Sequence, residues 1–188
     1  MALLYLHGFR SSPQSDKALA VAQYCQTHGL NAPVMPQLPI SPLESIQLCD
    51  QLIAEHAITA VCGSSLGGFY ALYLAEQFGL RCGLINPAIT PWVDMESANN
   101  HERYEIDELD LETKGHYVDQ LKPYYTPRLS HPERFLALIG LADEVLDPQQ
   151  MIHHLAAARQ IIVPDGDHSM NDFGGHLTEL IAFLGIEF

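Results

Sequence analysis

The stretch that decides the fold is Gly63-Ser64-Ser65-Leu66-Gly67-Gly68. It fits the pattern Gly-x-Ser-x-Gly in one register only, with Ser65 at the centre. An apolar run (58–62) precedes it and a helical pattern (66–78) follows it, which is the strand–turn–helix order that the pattern requires. Side chains two residues to either side of the serine would clash with neighbouring backbone, so both positions need glycine. We therefore interpret Ser65 as an exposed nucleophile, against the alternative of an ordinary strand–helix turn.

Short apolar runs alternate with longer amphipathic stretches along the rest of the chain. The runs predict strands at 2–6, 32–35, 58–62, 81–85, 135–139 and 160–163. The amphipathic stretches predict helices at 12–28, 43–56, 66–78, 148–158 and 173–184. Pro33 and Pro36 mark the second strand as weak or as an edge. The pattern as a whole predicts a three-layer α/β-hydrolase fold of about six mostly parallel strands, with helices on both faces.

The length of 188 residues favours a single domain. Residues 90–130 break the alternation, because this stretch is acidic, contains several tyrosines and includes three prolines. It is longer than an ordinary connection between two core strands. We expect a partly helical cap insertion over a site; a surface excursion is the alternative.

Composition and charge limit the partners. Hydrophobic residues make up 47% of the chain, and the formal net charge is −14. Nucleic acid and anionic membrane surfaces need a basic face, so neither is expected as a partner. The four cysteines lie in apolar runs without a Cys-x-x-Cys pair, which favours buried free thiols. The N-terminus has no signal-peptide pattern, so a cytoplasmic location is expected.

His168 is the predicted general base, because a serine hydroxyl needs an adjacent base to become a good nucleophile. In this fold the partners follow in the order serine, acid, histidine, and His168 comes directly after the last predicted strand. The competing histidines fall in predicted helices, where histidines are usually surface or core residues. They are His153, His154 and His176.

Asp143 is the predicted acid, because it follows the strand at 135–139 and lies 25 residues before His168. Its task is to orient the imidazole and to stabilise the imidazolium. Glu144 and Asp147 are alternatives that fit helix caps better. Asp165 and Asp167 fit the turn of the histidine loop.

The oxyanion hole needs two N–H donors. Leu66 supplies one as the residue after the nucleophile, and the loop after the first strand supplies the other. Phe9 is the preferred residue in that loop, and Arg10 is the runner-up. The alternative for His7-Gly8 is a simple strand terminator, and His7 is interpreted as structural.

Several motifs together resemble the YqiA-like esterase family of small bacterial α/β-hydrolases, over nearly the whole chain. They are Leu4-Tyr5-Leu6-His7-Gly8-Phe9, Ser11-Ser12-Pro13 with Lys17, Pro36-Gln37-Leu38-Pro39, Gly63-Ser64-Ser65-Leu66-Gly67-Gly68-Phe69-Tyr70, Asn86-Pro87-Ala88, residues 143–147 and Gly166-x-His168. The resemblance implies a cytoplasmic carboxylesterase that acts on short acyl esters, with Ser65, Asp143 and His168 as its triad.

The expected partner is thus a small-molecule acyl ester, with no metal and no cofactor. An acyl-CoA thioesterase using the same triad is the nearest alternative. The negative charge disfavours it, because CoA is polyanionic and Arg10, Lys17 or Arg103 would have to compensate. A catalytically idle binding protein is the alternative from another class. For the substrate pocket the expected residues are Arg10, Trp92 and Tyr124, with Tyr104, Tyr117 and Tyr125 as further possibilities.

Overall fold

A computed structural model describes residues 1–96 and 111–186 of the chain. Five parallel strands form one sheet in the spatial order β1-β2-β3-β4-β5. The strands are β1 (Ala2–Leu6), β2 (Ile58–Ser64), β3 (Arg81–Ile85), β4 (Phe135–Gly140) and β5 (Arg159–Val163). The helices are α1 (Asp16–Thr27), α2 (Pro42–Glu55), α3 (Leu66–Phe78), α4 (Pro91–Glu96), α5 (Leu111–Leu121), α6 (Pro148–His154) and α7 (Phe173–Leu184).

The sheet buries side chains on both of its faces, because successive residues of a strand point to opposite sides. In β1, Leu3 and Tyr5 belong to the apolar cluster that also contains the buried residues of α1 and α7. Leu4 and Leu6 belong to the cluster that contains those of α2, α3 and α6. Helices α1 and α7 therefore cover one face, and α2, α3 and α6 cover the other, as expected for a three-layer α/β fold.

The predicted strand at 32–35 is reduced to a single bridge between Val34 and Leu4. The Val34 N–H donates to Leu3 O at 2.8 Å, and the Tyr5 N–H donates to Val34 O at 2.9 Å. Pro33 and Pro36 have no N–H to extend this ladder in either direction. Across residues 1–96 and 111–186 the sheet thus has five strands and one bridge, where the sequence predicted about six strands.

Two predicted helix boundaries were wrong. The first helix begins at Asp16 and not near Ser12, whose hydroxyl instead accepts from Gln14 N at 3.1 Å in a separate turn. Helix α6 ends at His154, four residues before the predicted end. There the Ala158 N–H donates to Leu155 O, three residues back, so the chain turns away from the α-helical pattern.

The 90–130 insertion contains two described helices, α4 and α5. Helix α5 contacts α2, where Gln120 Oε1 accepts from the Ser41 hydroxyl at 2.8 Å and from Leu43 N at 3.3 Å. Tyr117 and Leu121 of α5 are buried. Residues 97–110 lie outside the described part of the chain, so a cap over the site stays a prediction.

All four cysteines are buried free thiols, as predicted. Burial raises the pKa of Cys49 and of Cys62 to about 12, which leaves these thiols protonated and unreactive. Among the described residues, no helix combines the length and apolar character needed to cross a bilayer.

The connections of β1 and β2 leave the sheet in opposite directions. From β1 the chain passes through α1 to Val34 at the sheet edge, whereas from β2 it passes through α3 to β3 on the other side. In open parallel sheets, ligands bind where neighbouring connections diverge in this way, at the carboxyl ends of the strands. At this point the chain places the loop after β1 beside the turn that carries Ser65.

Candidate active site

Ser65 lies on a strained turn between β2 and α3. Its backbone has φ 56° and ψ −123°, a combination that a residue with a side chain rarely adopts. The Ser65 N–H donates to Ile85 O at 3.1 Å, which ties the turn to the end of β3. A Cβ atom on Gly63 would lie 2.1 Å from Gly67 O, and one on Gly67 would lie 2.2 Å from Leu6 O. Both glycines are therefore required by backbone contacts.

The loop after β1 packs directly against this turn. A Cβ atom on Gly8 would lie 3.2 Å from Ser65 Cβ and 3.7 Å from Ser65 Oγ. Phe9 follows Gly8, and Leu66 begins α3, where the first amides of a helix have no acceptor inside it. The two N–H groups that the sequence predicted as oxyanion donors thus belong to the two segments that meet at Ser65.

His7 supports the loop after β1 and is buried. Its Nε2 accepts from Leu38 N at 3.1 Å, so the proton of the neutral ring is on Nδ1, which donates to Gly8 O at 2.8 Å. Burial lowers the pKa of His7, which keeps the ring neutral. His7 therefore has the structural role that the sequence predicted.

Asp143 and His168 form a direct pair. His168 Nδ1 lies 2.9 Å from Asp143 Oδ2 and 3.1 Å from Oδ1. The Asp143 side chain is 0% exposed and the His168 side chain 21%. Asp143 Oδ1 also accepts from Val145 N at 2.8 Å and from Leu146 N at 2.9 Å. The amides of its own loop thus fix the carboxylate, and the carboxylate fixes the imidazole. Because this pairing uses Nδ1, His168 Nε2 is available for a second partner.

Three further side chains hold the backbone of the histidine loop, and the sequence did not single them out for this role. Glu144 Oε2 accepts from His168 N at 3.1 Å. Asn86 Nδ2 donates to Asp167 O at 2.8 Å and to His168 O at 3.3 Å. Lys17 Nζ donates to Ser169 O at 3.0 Å and to His168 O at 3.4 Å.

Asn86 is fully buried at the end of β3 and has φ 42°, a left-handed conformation that asparagine tolerates better than most residues. Its Oδ1 accepts from Gly140 N at 2.8 Å, so one side chain connects the ends of β3 and β4 with the histidine loop. A polar residue directly after a buried strand, at the sheet edge that carries the site, is the signal in the sequence that could have found it.

Lys17 is a half-buried cation beside this loop. Burial lowers the pKa of its ammonium group, and the carboxylates of Asp167, Asp143 and Asp16 oppose that shift. The ammonium group lies among carboxylates and donates to two main-chain carbonyls.

The remaining acidic candidates have local structural contacts. Asp147 caps α6, where its carboxylate accepts from Gln149 N at 2.9 Å. Asp167 accepts from Asn171 N at 3.3 Å within the histidine loop. The competing histidines lie in α6 and α7, as predicted. His154 Nε2 donates a hydrogen bond to Thr126 O at 2.9 Å.

Ser65 and His168 line the same cavity, which has a volume of about 440 Å³. Within the described residues, no hydrogen bond joins the Ser65 hydroxyl to the imidazole. Such bonds are often long in unliganded enzymes and shorten when substrate binds.

The residues predicted for the substrate pocket separate into two groups. Arg10, with φ 52°, and Tyr117 line a second, smaller cavity, and the Arg10 guanidinium lies 5.9 Å from the centre of the Phe9 ring. Trp92 instead packs edge-on against Phe69, at a centroid distance of 6.3 Å.

Tyr124 packs against Tyr73 of α3 at a centroid distance of 5.0 Å. In the described part of the chain, neither Trp92 nor Tyr124 is among the residues that line the two cavities. Both side chains belong to the insertion and pack against α3. Tyr104 lies outside the described residues.

The strained serine turn at the carboxyl ends of a parallel sheet, with helices on both faces, defines an α/β-hydrolase fold. Solved structures agree. A putative hydrolase from Agrobacterium vitis has a TM-score of 0.69 and 18% identity, with 99% of this chain and 88% of that chain covered. An esterase from Pyrococcus furiosus has a TM-score of 0.62 and 13% identity, with 96% and 81% covered.

The particular family follows from the sequence comparison. The model of the Uncharacterised protein family (UPF0227) matches residues 2–185, and the chain belongs to this family. A UPF0227 protein of Yersinia pseudotuberculosis is 26% identical over 194 residues, with 96% of this chain and 97% of the relative covered. The family resemblance found from the sequence motifs is thereby confirmed.

Proposed function

We propose that the protein is a serine carboxylesterase that hydrolyses short-chain acyl esters through Ser65, His168 and Asp143. One observation carries the proposal: a buried carboxylate holds His168 Nδ1 at 2.9 Å, and the same imidazole lines a cavity with a serine on a strained strand–helix turn. The turn exposes the hydroxyl, and the pairing at Nδ1 leaves Nε2 for proton transfer.

In the first half of the reaction, Ser65 Oγ attacks the ester carbonyl carbon while His168 Nε2 takes the hydroxyl proton. Asp143 stabilises the imidazolium that forms. The N–H groups of Phe9 and Leu66 bind the oxyanion of the tetrahedral intermediate. The imidazolium then gives its proton to the leaving alcohol, and the acyl group stays on Ser65.

In the second half, His168 takes a proton from water, which attacks the acyl-enzyme. Collapse of the second intermediate releases the carboxylic acid and returns the proton to Ser65. The buried Asp143 orients the imidazole in both halves, because its Oδ1 is fixed by the amides of Val145 and Leu146.

The test is a comparison of two adjacent serines. Ser65→Ala should lower hydrolysis of a chromogenic acetate ester by roughly 10³-fold or more, because the nucleophile is lost. It should also abolish covalent labelling by a serine-directed phosphonate. Ser64→Ala, its matched control, should still be labelled.

Two outcomes would contradict the proposal. Ester hydrolysis by Ser65→Ala at the wild-type rate would show that Ser65 is not the nucleophile. A folded wild-type protein that neither reacts with the phosphonate nor hydrolyses esters would favour the catalytically idle alternative.

A further inference from the structure

Two cavities of different size and chemistry meet at the loop that contains Gly8 and Phe9. The larger cavity, of about 440 Å³, contains Ser65 and His168 in its wall. The smaller, of about 70 Å³, lies on the side of Leu66. Gly8 and Phe9 line both cavities, so an ester carbonyl bound beside them has one cavity on each side.

The position of His168 decides which half of an ester occupies which cavity. A general acid must reach the oxygen of the leaving alcohol, at hydrogen-bond distance. His168 lines the large cavity and is not among the residues of the small one. The alcohol half therefore lies in the large cavity, and the acyl half points past Leu66 into the small one.

The small cavity is narrow and largely apolar. Its apolar side chains include Leu38, Ile40, Leu66, Tyr70 and Tyr117, and the polar side chains of Arg10, Ser11 and Gln37 also line it. Its volume of about 70 Å³ is about half that of a cavity of roughly 150 Å³ that holds benzene in another protein. This space accommodates an acyl group of two or three carbons, and a longer chain meets buried side chains.

The wall of the large cavity exposes polar and apolar surface in similar amounts. Its polar side chains include Ser11, Ser15, Asp16, Lys17 and Ser169. An alkyl alcohol in this space would remove water from hydroxyl and charged groups without replacing their hydrogen bonds, which costs free energy for each group.

A negatively charged alcohol is also disfavoured in the large cavity. Lys17 is the cation in its wall, but the carboxylates of Asp16, Asp143 and Asp167 lie close enough to act on its charge. Lys17 Nζ already donates to two carbonyls. A neutral alcohol with several hydroxyl groups both donates and accepts hydrogen bonds, and so matches serine hydroxyls, an ammonium group and a carboxylate together.

We propose that the preferred substrate is an acetyl or propionyl ester of a neutral polyol, with the acyl group in the small cavity and the polyol in the large one. This rests on the proposed esterase function. The reaction breaks the acyl C–O bond, adds one water molecule, and yields the free acid and the polyol, which leaves with the proton from His168.

The first experiment measures kcat/KM of the wild-type protein on four esters. Glycerol monoacetate should be hydrolysed at least tenfold more efficiently than glycerol monodecanoate, hexyl acetate or acetylated glycerol phosphate. Equal or better use of any of the other three would overturn the corresponding half of the proposal, since each changes one property of the acyl or alcohol group.

Two variants then separate the cavities. Leu38→Ala enlarges the small cavity and should extend the longest acyl chain used by two or three carbons, while the preference for glycerol over hexanol stays. Ser15→Leu fills the large cavity with apolar atoms and should reduce that preference at least fivefold, while the acyl limit stays. Ile40→Ala, at a half-exposed position of the same wall, replaces Leu38→Ala if the latter fails to fold.

The result distinguishes this inference from the proposed function. Hydrolysis that requires Ser65 but prefers decanoate or hexanol esters would overturn the substrate assignment, while the proposed esterase function would still stand. Unchanged acyl and alcohol preferences in both variants would overturn the assignment of the cavities. Hydrolysis that persists in Ser65→Ala would overturn the proposed function itself.

Discussion

The two loops that carry Ser65 and His168 are held in place by different means. The serine turn is fixed by backbone: Gly63 and Gly67 contact carbonyl oxygens so closely that no Cβ fits. The histidine loop is fixed by side chains from elsewhere, including Asn86 after β3 and Lys17 on α1. One half of the proposed site thus depends on local sterics, and the other on hydrogen bonds between residues far apart in sequence.

This difference has consequences for how the two loops fail. A steric overlap between backbone atoms has no side chain that could move to relieve it, so a single added methyl group should displace the serine turn. A loop held by several hydrogen bonds loses one anchor at a time, so single substitutions should have graded effects.

The largest effect is expected for Gly67→Ala, which tests the steric restraint. The added methyl group would lie 2.2 Å from Leu6 O and 2.5 Å from His7 O. The turn and the loop after β1 must then separate, which should lower ester hydrolysis by about 10²-fold and destabilise the fold by about 1–3 kcal/mol. Kinetics and thermal unfolding measure the two effects.

Gly174→Ala is the matched control for Gly67→Ala. It lies in α7, with nothing within 4 Å of the new methyl group, and should stabilise the protein by about 0.5 kcal/mol through helix propensity. If Gly67→Ala behaves like Gly174→Ala, backbone packing does not fix the serine turn.

A smaller effect is expected for Asn86→Asp, which tests the side-chain anchors. The substitution keeps the shape but removes the donors to Asp167 O and His168 O, so hydrolysis should fall about tenfold. The new carboxylate oxygen takes the place of the amide donor and repels the two carbonyl oxygens, so the histidine loop should move away from position 86. Steady-state kinetics measures the effect, and the loss should fall on kcat with KM nearly unchanged. A wild-type kcat would show that Asn86 does not position the histidine.

A weaker effect is expected for Lys17→Met, which keeps the apolar stem and removes two hydrogen bonds to the histidine loop. The free energy of unfolding should fall by about 1.5 kcal/mol, as for hydrogen bonds from a charged group. Lys122→Met is the control, because the Lys122 side chain is exposed. Its ion pair in the described part of the chain is with the exposed Asp119, at 3.6 Å. Its effect should stay within about 0.5 kcal/mol. Equal losses of unfolding free energy in both variants would show that Lys17 does not anchor the histidine loop.

The smallest effect concerns Asp94 on α4, which lies close to the loop that carries the acid. Burial, together with Asp143 and Asp147, raises the pKa of Asp94 from 3.8 to about 6. A raised pKa means that the folded state binds the proton more tightly, so stability falls as pH rises from about 4 to about 6. Asp94→Asn should therefore stabilise the protein at pH 8 by about 1 kcal/mol, after allowance for partial exposure, and by nothing near pH 4.

Chemical unfolding at the two pH values measures the effect of Asp94→Asn. Asp119→Asn, whose side chain is 70% exposed, is the control and should give little change at either pH. A stabilisation by Asp94→Asn that is equal at pH 4 and pH 8 would exclude titration of Asp94 as its cause.

The sheet and most of its helices were predictable, because each element buries one face and repeats its apolar residues accordingly. The strand at 81–85 and the helices at 66–78 and 173–184 were predicted with the observed bounds. Errors occurred where local signals compete. Ser12-Pro13 fits a helix start as well as a turn. The segment between Pro33 and Pro36 has too few N–H groups to form a ladder of hydrogen bonds.

The sequence by itself determined the serine turn, because its glycines, its serine and its strand–helix setting lie within a few residues and act through local sterics. It also determined the order of Ser65, Asp143 and His168. Only the tertiary structure decided what holds His168, because Asn86 and Lys17 are 82 and 151 residues away from it in the chain. It also decided that Trp92 and Tyr124 pack against other aromatic rings, since an aromatic residue fits a core as well as a pocket until its neighbours are known.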